Sequence, residues 1–472
     1  MKEYKIYAAG EFISTPDKIS VHNSYDNSLI AETYLADKQI LEKAIIKALS
    51  VENEMANLPA FQRYEILMQV AEEMKSKKEY LSKILAAEAA KPLKYATAEI
   101  QRAIATIVAA AEESKRTPME YIRLDWEPTG KGKEGLVKHF PVGLVSGISP
   151  FNFPINLAMH KIAPAIAAGC PIILKPATST PLSTLEFAQI LDKTSLPKGA
   201  VSILPMNRET GNLLVTDERF KLLTFTGSPV VGWKMKNDAG KKKVVLELGG
   251  NAGVIVTDSA DIEFAVKRCL VGAFAYAGQV CIHTQRIFVA KNIFNDFMEM
   301  FLDGASRLMM GSPLEMDTDI TAMIDEENAI RVEEWVNNAI KNGAEICCGG
   351  KRKGSFYEPT VLTNTKNEMD VSCKEIFGPV AIIEQFDKFE QAVDMVNDSI
   401  YGLQAGVFTN KVDEMNYAFA NLNVGGVIHN DVSLFRVDHM PYGGTKESGI
   451  GREGVKYAML DMMEPKILVK SF

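Results

Sequence analysis

From residue 141 to 248 the chain alternates short apolar runs with helical patterns, and no other feature constrains the fold as tightly. Residues 142–149, 171–175, 201–204, 222–226 and 243–248 read as strands, and 156–168, 182–193, 211–216 and 231–239 read as helices. Short apolar strands separated by helices indicate a doubly wound parallel sheet. Such sheets bind ligands at the C-terminal ends of their strands.

The flanking sequence is organised differently. Residues 1–36 read as short strands, with turn signals at Ala9-Gly10 and at 25–28. Asp37 is placed to cap a helix over 38–57, Pro59 to open a second, and Pro92 to open a third that runs to about residue 115. Residues 118–140 alternate around Pro128-Thr129-Gly130 and predict an exposed hairpin, either an ordinary surface feature or one that docks on a partner subunit. A second α/β pattern occupies 251–430, with helices at 262–276, 293–308 and 327–341 and strands at 286–290 and 401–409. The run 465–470 is a good edge strand. At 472 residues the chain exceeds what one core holds, so two or three domains are expected.

Charge and cysteine usage narrow the functional classes. The 60 acidic and 52 basic residues, net −8, are spread along the chain and predict neither a nucleic-acid footprint nor a membrane patch. Residues 1–16 lack the apolar core of a signal peptide, and the longest apolar run, 162–174, is interrupted by Pro164, Gly169 and Pro171. The six cysteines form no Cys-x-x-Cys pair and no metal spacing, which suits a reducing, cytoplasmic setting without a bound metal.

A dinucleotide fingerprint is the first motif to test. Gly449, Gly451 and Gly454 match its spacing but have no strand before them and too little chain after, so they read as a turn into the last helix. Five other features follow strands or turns. In Ser149-Pro150-Phe151-Asn152-Phe153-Pro154 the Asn152 amide suits an oxyanion donor, and a proline-rich turn explains the run equally. Lys175 ends the next strand, where it reaches a ribose or phosphate or is simply solvated. Phe225-Thr226-Gly227-Ser228 opens a helix, a natural anion site. Glu247-Leu248-Gly249-Gly250-Asn251 sets a carboxylate beside a glycine pair. Finally Ala277-Gly278-Gln279-Val280-Cys281 suggests a thiol at a turn with loose backbone on its upstream side.

Together these segments resemble the aldehyde dehydrogenase superfamily over essentially the whole chain. Residues 150–154, Lys175-Pro176-Ala177, 225–228, 246–251, 278–281, Glu375-Ile376-Phe377-Gly378-Pro379 and 441–449 stand in the family's order. The resemblance implies a Rossmann-like doubly wound cofactor domain (1–117 and 141–247), an α/β catalytic domain (248–430), and a small β oligomerisation arm with substrate loop and final strand (118–140 and 431–472). It implies Cys281 as nucleophile, Asn152 with the Cys281 N–H as oxyanion donors, Glu247 as the base for thioester hydrolysis, and Lys161 behind them. NAD or NADP would be held by Ile148, Ser149, Pro150, Asn152, Lys175, Thr178, Phe225, Thr226, Gly227, Ser228, Glu247, Leu248, Gly249, Glu375 and Phe377. NAD-selective members often carry a glutamate where Thr178 stands, so NADP is expected to be accepted.

By position Arg102, Phe151, Asn156, His160, His283, Arg436 and His439 would meet the substrate. Arg436 either pairs with Asp438 or another acid, or anchors an anionic or hydroxyl-bearing substrate with its planar fork. His160 and His283 either donate to substrate or merely pack. The segment 156–161 and the loop around Arg436 resemble the subgroup of lactaldehyde, phosphonoacetaldehyde, sulfolactaldehyde and non-phosphorylating glyceraldehyde-3-phosphate dehydrogenases. The expected partners are a small aldehyde and further copies of the chain, as a dimer or a dimer of dimers, with the tail strand adding to a neighbouring subunit's sheet. A CoA-acylating dehydrogenase and a non-catalytic binding protein on the same fold are the alternatives, and Glu247 speaks against the first.

Overall fold

Runs such as Ile172–Lys175 and Ala252–Val256 are apolar on both sides, so they are stable only inside a sheet with helices on each face. The computed structural model, which describes residues 2–472, assembles them into two large sheets. The first runs Gly449–Ile450, Lys243–Glu247, Leu222–Thr226, Val145–Ile148, Ile172–Lys175, Val201–Ile203, Ile6–Ala8, Glu11–Ile13. Its central strands are parallel and its outer ones antiparallel, so the doubly wound sheet is present. The winding reverses beside Val145–Ile148: the chain passes first to Ile172–Lys175 and later lays Leu222–Thr226 on the opposite side. Such a reversal opens a crevice at the C-terminal strand ends.

The second sheet runs Glu345–Cys348, Thr360–Thr363, Val380–Phe386, Thr284–Ala290, Ala252–Val256, Gln404–Phe408, Gly426–His429, with only the first strand antiparallel. Ala252–Val256 and Val380–Phe386 had no helical pattern close upstream to set them off, and the sequence pattern passed over both. The link between the sheets is 248–251, and Gly250 within it leaves no room for a side chain: a Cβ there would lie 2.7 Å from the Cys281 carbonyl oxygen. The C-terminal edge of the first sheet, where Glu247 ends its strand, therefore meets the N-terminal edge of the second, where Cys281 precedes Thr284–Ala290.

Among the helices, Asp37 caps Lys38–Ser50 by accepting from the Ile40 N–H at 2.8 Å, but that helix stops at Val51 and a short one, Glu52–Asn57, follows. Pro59 and Pro92 precede Ala60–Ser76 and Leu93–Ser114 as expected, with the further helix Lys78–Glu88 between them. Leu93–Ser114 packs on Pro154–Ala168, every residue of which is buried.

The hairpin forms from Met119–Arg123 and Lys133–Pro141. The tail strand, Met463–Ser471, finds its partner inside the chain, pairing antiparallel with all of Lys133–Pro141 rather than waiting for a neighbour. Ile467, Leu468 and Val469 nevertheless remain about half exposed. The stretch 431–472 is not one unit, since Gly449–Ile450 edges the first sheet and Val455–Asp461 packs on Pro154–Ala168. Among the described residues no helix is long and apolar enough to cross a membrane.

Candidate active site

The site is built on the turn that delivers Cys281. Helix Ile262–Phe274 ends and the chain turns through Tyr276 and Ala277, both at φ +51°, and Gly278 at φ +67°. Left-handed geometry costs a residue with a side chain roughly 1–2 kcal/mol, so packing must hold it. Tyr276 donates to the Ala89 carbonyl at 2.9 Å, and the Gln279 side chain accepts from the Ile324 N–H at 2.9 Å. A Cβ on Gly278 would lie 2.1 Å from the Gly378 carbonyl oxygen. The approach expected to be loose is thus a buried, pinned turn, because the residues on either side are fastened to distant parts of the chain.

Cys281 is half-buried, with Sγ 3.0 Å from the Tyr442 hydroxyl. It opens on a cavity of about 160 Å³ shared with Tyr442, Arg436, Arg102, Asn156 and Phe153. Burial pushes the thiol up to about 11, and the Tyr442 hydrogen bond and the Arg436 charge offset that only in part. Asn152 lies in the loop after Val145–Ile148. Its amide nitrogen donates to the Gln279 carbonyl at 3.0 Å, leaving its second N–H uncommitted, and its carbonyl accepts from the Phe153 N–H at 3.1 Å.

Glu247 is buried, and neither carboxylate oxygen has a partner. Burial first, and the nearby Glu453 charge second, hold its carboxyl well above the ordinary range. A Cβ on Gly443 would sit 2.7 Å from Glu247 Oε1, so that glycine gives the carboxyl its space. Glu453 is the opposite case. Burial would raise it too, but Lys161 at 3.2 Å and Arg436 at 2.9 Å outweigh burial and keep it ionised. Lys161 Nζ also donates to Thr226 Oγ1 at 2.7 Å and Thr224 Oγ1 at 3.3 Å. Thr226, expected at the cofactor, has its hydroxyl in this network instead, because it lies on the face of its strand turned toward Lys161.

The expected substrate contacts divide. Arg436, Arg102 and Asn156 line the cavity. Arg436 is bound to Glu453 rather than Asp438, stacks 3.6 Å from the centre of the Tyr442 ring, and keeps a buried Nε with no partner. Asp438 is the partner of Arg102 at 2.8 Å, of Asn156 at 3.1 Å and of His160 at 2.8 Å. His160 is buried behind the cavity, with burial and Arg436 lowering its pKa, so it orients Asp438 rather than facing the cavity. His283 turns inward, bonds the Ala273 carbonyl at 2.8 Å and is pushed down to about 4 by burial, which makes it a packing residue. His439 is exposed, outside the cavity lining. Phe151 stands edge-on to Phe377 at 5.9 Å, and Phe153 takes the lining place expected of it.

A second cleft, about 570 Å³, occupies the winding reversal of the first sheet. Ile148, Lys175, Thr178 and Phe225 line it, together with Asn207, Arg208 and Lys234, which the sequence reading passed over. Lys175 is largely buried without a carboxylate partner, and burial lowers its pKa. The Ser149 hydroxyl is buried and unpartnered. Gly227 packs so tightly on the Phe225 ring that a Cβ would lie 2.5 Å from it, and Ser228 precedes helix Pro229–Asp238 without capping it. Between the cleft and Cys281, Glu375 accepts from the Gly250 N–H at 3.0 Å, and burial pushes it up to about 7. Uncommitted donors at strand ends around an apolar wall fit a ligand with phosphates, ribose hydroxyls and flat rings.

A cavity-facing thiol, an uncommitted amide N–H and an unpartnered buried carboxyl beside such a cleft fit a thiol-dependent oxidoreductase of the α/β class. The aldehyde dehydrogenase family profile matches residues 12–468, and the chain belongs to that family. It is 42% identical over 471 residues to a 3-sulfolactaldehyde dehydrogenase of Priestia aryabhattai, covering 99% of this chain and 98% of that one. Among solved structures it is similar to aldehyde dehydrogenase 21 of Physcomitrella patens in complex with the reaction product succinate, at 45% identity and TM-score 0.98 over 100% and 98% of the two chains. It also resembles a glyceraldehyde-3-phosphate dehydrogenase of Methanocaldococcus jannaschii complexed with NADP, at 40% identity and TM-score 0.93 over 98% and 100%.

Glu453 and Tyr442 are neighbours of the site to which the sequence assigned no role, and Asp438, considered only as a partner for Arg436, holds Arg102, Asn156 and His160 instead. Glu453 lies inside the glycine-rich run 449–454, set aside as a turn, and a charged residue between glycines was the available signal.

Proposed function

We propose that the protein oxidises a short aldehyde with an anionic or hydroxyl-bearing far end to its carboxylate, using NAD or NADP, through a thioester on Cys281. The observation that carries this is the shared cavity: Cys281 opens on the same small space as Arg102 and Arg436, so an aldehyde carbon at sulfur leaves the substrate's other end beside two guanidinium groups. Relatives that act on sulfolactaldehyde or yield succinate support a charged far end.

The dinucleotide, when bound in the cleft, supplies the hydride acceptor; Lys175, Thr178, Ser149, Arg208 and Glu375 are the residues to hold it. The protein's own groups do the rest. Cys281 sulfur bonds to the aldehyde carbon while the carbonyl electrons move to oxygen, where the free Asn152 N–H and the Cys281 backbone N–H receive them. After oxidation to the thioester, Glu247 takes a proton from the attacking water, and its unpartnered oxygens leave it free to do so. Glu453, held ionised by Lys161 and Arg436, keeps the Glu247 carboxyl basic.

Residues 1–117 and 141–247 serve as the cofactor unit, 248–430 as the catalytic unit, and the three-stranded sheet as the assembly arm of a cytoplasmic dimer or dimer of dimers. The half-exposed apolar side chains of Met463–Ser471 support that assembly.

The test is nucleotide reduction over a panel of succinate semialdehyde, sulfolactaldehyde, lactaldehyde and propanal with NAD+ and NADP+. Anionic or hydroxylated aldehydes are expected to exceed propanal in kcat/KM, with turnover independent of CoA. Cys281→Ala is expected to abolish nucleotide reduction; an undiminished rate would overturn the reading.

A further inference from the structure

Tyr442 stands in Pro441-Tyr442-Gly443-Gly444, a stretch the mechanism above does not use. Its ring is buried, and its hydroxyl has one hydrogen-bond partner, the Cys281 sulfur at 3.0 Å. The residues lie 161 positions apart, so the contact is a product of the tertiary fold. One face of the ring carries the Arg436 guanidinium, 3.6 Å from the ring centre, and Glu453 fixes that guanidinium from behind.

A thiolate in this position meets opposing fields. Burial disfavours it, and the Glu375 and Glu247 carboxyls add to the penalty when ionised. Lys91, Glu99 and Arg102 line the cavity from the helical side, and the first two neutralise one another as an ion pair. Arg102 is likewise taken up by Asp438. The Tyr442 O–H and, although paired with Glu453, the Arg436 charge are the groups that favour anionic sulfur. The phenol is itself held far above its ordinary range by burial, so it stays protonated and acts as donor.

We propose that Tyr442 is a catalytic residue, whose hydroxyl donates a hydrogen bond to Cys281 sulfur whenever that sulfur is anionic, with Arg436 on the ring strengthening the O–H as a donor. This rests on Cys281 being the nucleophile. The bond acts twice in the cycle. It stabilises the thiolate before attack and loosens as the S–C bond forms and the sulfur loses its charge. When hydrolysis breaks the S–C bond, the electron pair returns to sulfur and the same O–H receives it, so sulfur leaves as a stabilised thiolate. A phenylalanine at this position would supply the wall but not the proton.

The experiment compares the wild type with Tyr442→Phe in the rate of Cys281 alkylation by iodoacetamide from pH 6 to 10, with Cys281→Ala as the background for the other cysteines. The variant keeps the ring beneath Arg436. A lost hydrogen bond to a charged group predicts alkylation about tenfold slower near pH 8 and a rising pH–rate limb displaced upward by about one unit. Dinucleotide affinity and thermal midpoint are expected to match the wild type. A second arm places 3-fluorotyrosine at 442, which keeps fold and hydroxyl but makes the O–H a stronger donor, and the rising limb is expected to move to lower pH. Superimposable profiles for all three proteins would overturn the proposal while leaving Cys281 as nucleophile. A wild-type Cys281 that resists alkylation throughout would instead overturn the thioester reading.

Discussion

Glu247 and Glu453 show how little a residue's type decides in a buried site. Both are buried glutamates, yet burial and a like charge raise the pKa of Glu247 while two cations lower that of Glu453 and keep it ionised. The difference is one of neighbours: Glu453 has an amine and a guanidinium within hydrogen-bond range, and Glu247 has nothing. The same principle applies in the cofactor cleft. Arg208 opens helix Arg208–Thr216 with no carboxylate paired to it among the described residues, while Lys234 beside it is taken up by Asp238. With threonine rather than a carboxylate at 178, we propose Arg208 as a cation that meets a 2′-phosphate, in the same cleft as Lys175. Arg208→Ala is therefore expected to raise the Kd for NADP+ by about tenfold, as for loss of a charged hydrogen bond, and to leave that for NAD+ nearly unchanged, measured by fluorescence titration. Equal weakening of both would mean that Arg208 does not read the phosphate.

At the scale of elements, the helix carrying Asn156 and His160 is positioned by two buried charges from the N-terminal helical block. Lys91 donates to the Asn152 carbonyl and pairs with Glu99. Glu99 in turn accepts from the Ile155 and Asn156 N–H groups, each at 3.2 Å, and so caps Pro154–Ala168 from a neighbouring helix. Glu88 does the same for Leu182–Leu191 through the Leu182 and Ser183 N–H groups. Lys91→Met leaves Glu99 buried and unpaired, which is expected to cost about 3–5 kcal/mol of stability in denaturant unfolding. A loss under ~1 kcal/mol would mean that the pair does not hold the helix. None of this was legible locally. Pro92 marked a helix start correctly, but which faraway N–H groups Glu99 on that helix and Glu88 before it would meet depends on how the helices pack.

At the scale of the molecule, the small sheet joins a core only where its last strand begins, at the buried Met463. Met463–Ser471 pairs along its full length with Lys133–Pro141 and leaves apolar side chains exposed, so its inward contacts do not account for them. The full chain is expected to sediment as an oligomer and a chain ended after Met462 as a monomer, with the thermal midpoint of the remaining structure kept within a few degrees. An unchanged sedimentation coefficient would remove the arm from the assembly.

The sequence alone determined what consecutive residues can encode. Apolar strands alternating with helices specify a doubly wound sheet, and the clusters 149–154, 247–251 and 277–281 are readable as candidate sites because neighbours along the chain stay neighbours in space. Tertiary structure decided direction and partnership. His283 lies two residues from Cys281 yet turns into the core, while Tyr442 reaches the sulfur from 161 positions away and Glu453 meets Lys161 across 292. The tail strand likewise chose a partner within its own chain. In each case the outcome depends on which buried polar group has a partner, and only packing brings those partners together.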